Sequence, residues 1–247
     1  MVLETISNAG KLNIMSEISE IIEDASIHDA DECKGMYTAR EDRLNSWSHF
    51  FGLGLSIIGL ILMVAKASTY GSTMNVVACS IFGVALILMY GSSGFYHGTT
   101  SKTLKAKLRV MDHMNIYFLI AGTYTPIVLI GLNGPLGWTI FGMMWGLTAF
   151  GLLYKLLFFG ASWVSSLLYI LMGWIAMIFI GQIIAAIPYA CFMLIALGGL
   201  FYTSGVVFYM LDEVKEYTHF IWHIFVMLGS ICHFFAIYFY LADMPIK

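Results

Sequence analysis

Charged side chains are scarce in this chain of 247 residues: 11% are Asp, Glu, Lys or Arg, against 60% that are hydrophobic. Soluble domains carry roughly 25% charged residues. So thin a supply cannot coat a water-facing surface, and the composition points to lipid as the solvent. The basic residues form no stripe along one face, which argues against a nucleic-acid partner. Cysteine is rare as well. Cys33, Cys79, Cys191 and Cys232 are far apart and form no CxxC pair. No disulfide framework is therefore expected, and the four are read as small core residues. The polar, acidic segment before residue 40 holds no apolar run of the kind a signal peptide needs.

What the chain does have is a series of long uncharged runs. Positions 44–65, 67–101, 113–154 and 156–211 contain no charged residue, and after Glu216 only Asp243 and Lys247 interrupt the last run. A membrane-crossing helix needs about 20 apolar residues. Five spans are expected at residues 46–67, 75–96, 112–131, 137–157 and 218–241. The stretch 161–211 is too long for one span and is divided at Pro188 into the fifth and sixth. A basic loop with Lys102, Lys105, Lys107 and Arg109 should join spans two and three, and Asn133-Gly134-Pro135 should form a turn. A short acidic loop, Asp212 to Glu216, leads to the seventh span. Open strands would leave backbone groups unpaired in lipid, so every span must be a helix. The expected fold is all-α: a polytopic bundle of seven transmembrane helices over residues 41–247, after an acidic tail over 1–40. Residues 12–24 have a rough helical period but are read as part of that mobile tail.

Orientation follows from the basic residues. With the N-terminus in the cytoplasm, ten of the twelve Lys and Arg fall inside and only Lys66 and Lys247 outside, as the positive-inside rule demands. Four polar groups then meet at one depth. Asp42, Asn45 and His49 share a face at the start of span one, since residues i and i+4 are neighbours on a helix. Ser93 and His97 share a face at the end of span two, Asp112 opens span three, and His219 and His223 open span seven.

Ionisable groups inside a membrane are costly and normally face the bundle interior. Three imidazoles, His97, His219 and His223, match the first shell of a catalytic zinc, which leaves one position for water. Asp112 is placed to act as a general base toward that water, with Ser93 orienting it. His49 is read as a supporting group, and Glu41 and Asp42 as helix-start charges. His113 and His233 are read as hydrogen-bonded or anchoring groups, Trp138, Trp163, Trp174 and Trp222 as belt or packing residues, and Gly198, Gly199 and Gly205 as sites of close helix approach.

The strings Glu41-Asp42-Arg43-Leu44-Asn45 with His49, Ser93-Gly94-Phe95-Tyr96-His97, Asp112-His113-Met114-Asn115-Ile116-Tyr117, Ala121-Gly122-Thr123-Tyr124-Thr125-Pro126 and His219 with His223 resemble the hemolysin III family, within the progestin and adipoQ receptor superfamily. A string in span six, Gly198-Gly199-Leu200-Phe201-Tyr202 through Tyr209, matches as well. The resemblance implies seven helices with a cytoplasmic N-terminus. It implies zinc (Zn2+) on His97, His219 and His223, with Asp112 reaching the metal through water and Ser93 beside it. It also implies lipid amide hydrolysis of the ceramidase kind, with membrane lipids as partners and a role in membrane homeostasis in the plasma or inner membrane. A receptor or lipid sensor with structural zinc, and a pore former, are the competing readings. No repeated polar stripe supports a pore. Gly91-Ser92-Ser93-Gly94 matches the GxSG of rhomboid proteases, but a Ser–His dyad there would leave the three-histidine convergence unexplained.

Overall fold

The computed structural model describes residues 37–157, 162–212 and 214–246. The segment 12–24 and Cys33 lie outside them. Helix α1 runs Ala39–Tyr70, α2 Thr73–Gly98 and α3 Lys102–Pro126, the last continuing as a π-helical turn over Ile127–Leu132. Helix α4 is Gly134–Leu157 and α5 is Ser162–Trp174. A 3-10 turn, Ile175–Phe179, links α5 to α6, Ile180–Ala186. Helix α7 is Tyr189–Met210, and α8, Thr218–Ala236, ends in a π-helical turn over Ile237–Leu241. Among the described residues, seven helical segments are long and apolar enough to cross a membrane, with α5, the 3-10 turn and α6 together making the fifth.

The chain breaks where turn chemistry and Pro188 placed the breaks. Asn133 and Gly134 both adopt positive φ, 54° and 60°. Ile187 is extended and Pro188 precedes the first turn of α7, where a missing N–H costs nothing. The basic loop is different. Lys102 to Met111 are helical, so only Thr99 to Ser101 connect α2 to α3, and Asp112 lies nearly three turns inside α3 rather than opening it. The segment is rich in good helix formers. It also buries one face, with Ala106, Arg109 and Val110 inside while Lys102 and Lys107 remain exposed. Charge ends a span in lipid, but it does not end a helix.

Helix α3 with its π-helical turn is the axis of the bundle: most of its apolar stretch is buried, whereas the fifth and sixth spans are largely exposed. The outer helices present Ile178, Leu200 and Val207 outward, as lipid-facing surfaces should. Helix α1 packs along α2, α2 along α3 and α7 along α8, and α8 also reaches α1. The core is formed by Met63, Phe82, Leu86, Tyr90, Ile130, Val226 and Ile237 with Cys79 and Cys191, in agreement with the reading of those two cysteines. The Tyr124 hydroxyl accepts the Ala176 N–H and donates to the Gly173 carbonyl, both at 2.9 Å. Those bonds intrude on the i to i−4 ladder of the fifth span at its 3-10 turn.

Close approach at small residues is selective. A Cβ at Gly198 would strike the His233 ring, and one at Gly205 would meet Trp222 and Phe225 at 2.9 Å. Gly199 faces open space, contrary to expectation, because consecutive helical residues point about 100° apart.

Candidate metal centre

Helix α1 starts with a capping box: the Thr38 N–H donates to Glu41 Oε2 at 2.9 Å and the Glu41 N–H to the Thr38 hydroxyl at 3.3 Å. The other Glu41 oxygen accepts the Tyr217 N–H at 2.6 Å. One carboxylate thus fastens the start of α1 to the residue before α8. Tyr217 bends the chain there with φ 64°. This knot joins the starts of α1 and α8, and the Ser46 hydroxyl, donating to the Gly94 carbonyl at 2.9 Å, ties α1 to the end of α2.

His97, His219 and His223 meet at that point. One nitrogen from each lies within 4.8 Å of those of the other two, and all three side chains are buried. Ring centroids are 5.1 Å apart for His97 with either partner and 4.7 Å for His219 with His223. Each Nδ1 is engaged: His97 with Asp42 Oδ1 at 2.9 Å, His219 with Asp212 Oδ2 at 2.9 Å, and His223 with the Asn45 carbonyl at 3.3 Å. Carboxylates only accept, so the Nδ1 atoms of His97 and His219 carry the proton; His223 Nδ1 also lies 3.2 Å from the Ser48 hydroxyl, which donates to the same Asn45 carbonyl at 2.8 Å and so accepts from the ring. A neutral imidazole then has a bare lone pair on Nε2. The Nε2 atoms of His97 and His219 are buried and have no hydrogen-bond partner among the described residues. A bare, oriented nitrogen with an acceptor behind the ring is the usual state of a metal-ligating histidine. The three residues fit a metal ion and could hold one.

Sequence reasoning placed the imidazoles but missed part of their support. Asp42 is more than a helix-start charge: it accepts from His97 and from Lys105. In the sequence alone Asp212 is no more than a loop acid. Yet an acidic residue in a short loop, two helical turns before His219, is a suitable acceptor for a ligand imidazole, and that was the available signal. Tyr37 carries no sequence signal of its own. Its hydroxyl donates to Asp212 at 3.0 Å and lies 2.9 Å from His219 Nδ1, and its ring packs against His219 and His97 at 4.7 and 5.6 Å. Burial, reinforced by the Asp212 charge, pushes the Tyr37 phenol well above its ordinary pKa, so it remains a donor.

Asp112 is half-buried beside these groups, hydrogen-bonded to Ser93 and within electrostatic reach of His219. His49 stacks on His223 at 3.5 Å and 12°. The other two histidines stand apart: His113 Nδ1 meets the Arg109 carbonyl at 2.8 Å and His233 Nε2 the Ile195 carbonyl at 3.1 Å. Both are hydrogen-bonded, as expected of them.

The fold and the site define a multi-pass integral membrane protein with a buried three-histidine cluster at one end of a seven-helix bundle. The chain belongs to the haemolysin-III related family, whose model matches residues 37–234. It is 38% identical over 212 residues to the hemolysin-3 homolog of Bacillus subtilis, covering 85% of this chain and 99% of the relative. It is 37% identical over 203 residues to hemolysin-3 of Bacillus cereus, covering 81% and 92%. It is 28% identical over 216 residues to the human monocyte to macrophage differentiation factor, covering 84% and 87%.

Proposed function

We propose that this protein is a zinc-dependent membrane hydrolase that cleaves lipid amide bonds of the ceramide kind and serves membrane lipid homeostasis. The observation that carries the reading is the set of three buried imidazoles with one nitrogen of each within 4.8 Å of the others, acceptors fixed at Nδ1, and unpartnered Nε2 atoms on His97 and His219 among the described residues. His97, His219 and His223 would hold the zinc. When bound, zinc supplies Lewis acidity toward a carbonyl oxygen and toward water. Asp112 accepts the proton of the attacking water and returns it to the leaving amine, a general acid–base role. Ser93, through its hydrogen bond, fixes the orientation of that carboxylate. Asp42, Asp212 and the Asn45 carbonyl hold the ligand rings in one tautomer. The N-terminus lies in the cytoplasm, as the distribution of Lys and Arg supports, so the site sits beneath the cytoplasmic leaflet of the plasma or inner membrane.

Elemental analysis of the purified protein tests the metal. Near-stoichiometric zinc, lost in His97→Ala and His219→Ala, is the expected result; zinc unaffected by both substitutions would sink the assignment. A second reading, a receptor or lipid sensor with structural zinc, draws support from the Tyr37 ring packed against His97 and His219. It predicts that Asp112→Ala alters no hydrolysis, because there is none to alter.

A further inference from the structure

Six buried polar atoms near the histidine cluster have no hydrogen-bond partner among the described residues. Two are the Nε2 atoms of His97 and His219, which a metal explains. The other four are both amide atoms of Asn45 and both ring nitrogens of His49. Asn45 is 0% exposed and His49 2%. They stand one turn apart on the same face of α1. Both touch His223, Asn45 through its carbonyl and His49 through ring stacking. Buried polar atoms are nearly always paired, with protein or with something else. An orphaned one costs about 1–3 kcal/mol. Four together, beside a metal-competent cluster, call for an occupant.

We infer that Asn45 and His49 form a subsite, alongside the histidine ligands, for the neutral hydroxyl and amide head of an N-acyl amino alcohol. This deepens the proposed function and rests on its choice of a lipid amide as the ligand. The donor–acceptor inventory selects the chemistry. A side-chain amide offers two donors and one acceptor, and an uncharged imidazole one of each. A phosphate head only accepts and would leave Asn45 Oδ1 and one imidazole nitrogen bare. An ammonium head only donates and would strand the N–H groups. A hydroxyl or secondary amide does both and can satisfy the set. The side chain of Lys105, a cation that could have favoured a phosphate, is held by Asp42.

The test measures equilibrium binding of N-hexanoyl-sphingosine to the full-length, metal-loaded protein in detergent, in an Asp112→Asn background that blocks the proposed turnover. Asn45→Leu and His49→Phe should each weaken binding about tenfold, the scale of one lost hydrogen bond to a neutral group, with metal content unchanged. His49→Gln, which keeps a donor and an acceptor, should stay near the parent. The same lipid carrying a phosphocholine head should bind at least tenfold more weakly, insensitive to either substitution. Asn45→Ala serves if Leu disrupts folding. Equal binding by parent and variants overturns the subsite, leaves hydrolysis untouched and means that water fills these atoms. No binding by any protein overturns the subsite and the lipid amide reading together. Binding lost in the variants, while the Asp112 protein hydrolyses nothing, upholds the subsite and removes the hydrolase.

Discussion

Two asparagines, each 0% exposed, sit at opposite ends of the bundle and are treated in opposite ways. Asn75, in the first turn of α2, uses its whole hydrogen-bonding capacity. Its amide donates to the Leu241 and Met244 carbonyls at 3.0 Å each, and its oxygen accepts from the Ser72 N–H and hydroxyl at 3.0 and 2.6 Å. Asn45, in the second turn of α1, has no partner for either side-chain polar atom among the described residues. Nearby groups follow suit. At the Asn75 end Lys66 donates to the Tyr238 carbonyl at 2.8 Å and pairs with Asp243 at 3.1 Å. At the Asn45 end His49, His97 and His219 keep nitrogens that are bare among the described residues. Saturated polar groups clamp a structure. Unsaturated ones, held in place at a cost, mark where something else binds.

Substitutions at the two ends should therefore separate function from stability. The largest effect belongs to Asp112→Ala: lipid amide hydrolysis should fall about 10²–10⁴-fold, the usual worth of a general acid–base group, while zinc stays bound. Loss of zinc along with activity would make Asp112 a holder of metal rather than of protons. Next is Asp212→Asn, which removes the charge behind His219. Competition with a chelator should show metal affinity lowered about 10–100-fold, and unchanged affinity would break the claim that this carboxylate supports the ligand. Third is Asn75→Leu. It strands the Ser72 donors and two carbonyls at a cost of about 1–3 kcal/mol, visible as a lower unfolding temperature with metal content intact. Asn45→Leu should show no such loss, and equal destabilisation at both positions would erase the contrast between the ends. The smallest effect is expected from Lys66→Ala, whose pair with the part-exposed Asp243 contributes less than about 1 kcal/mol.

Much of the site was legible because helical spacing does part of the folding in advance. His219 and His223 share a face by virtue of i, i+4 alone, and so do Asn45 and His49. An even number of crossings between Asp112 and His219 returns the chain to the end it left. The polar partners were harder to read. Asp42 reaches across to α2, the Asn45 carbonyl serves α8, and Tyr37 and Asp212 close over His219 from two segments that no span prediction singles out. The basic segment from Lys102 was misread for a related reason: hydropathy marks where lipid ends, whereas α3 continues on propensity and on contacts made by Ala106 and Val110.

The sequence by itself determined the number of spans, their approximate limits and the candidate ligands. A bilayer admits only helices of sufficient apolar length, and this constraint acts on each segment separately. Only the tertiary structure decided that the Nε2 atoms of His97 and His219 are free, which acceptors hold those rings, and that the side chains of Asn45 and His49 have no partner among the described residues. Those facts depend on ångström-scale distances between helices far apart in the chain, which no local pattern encodes.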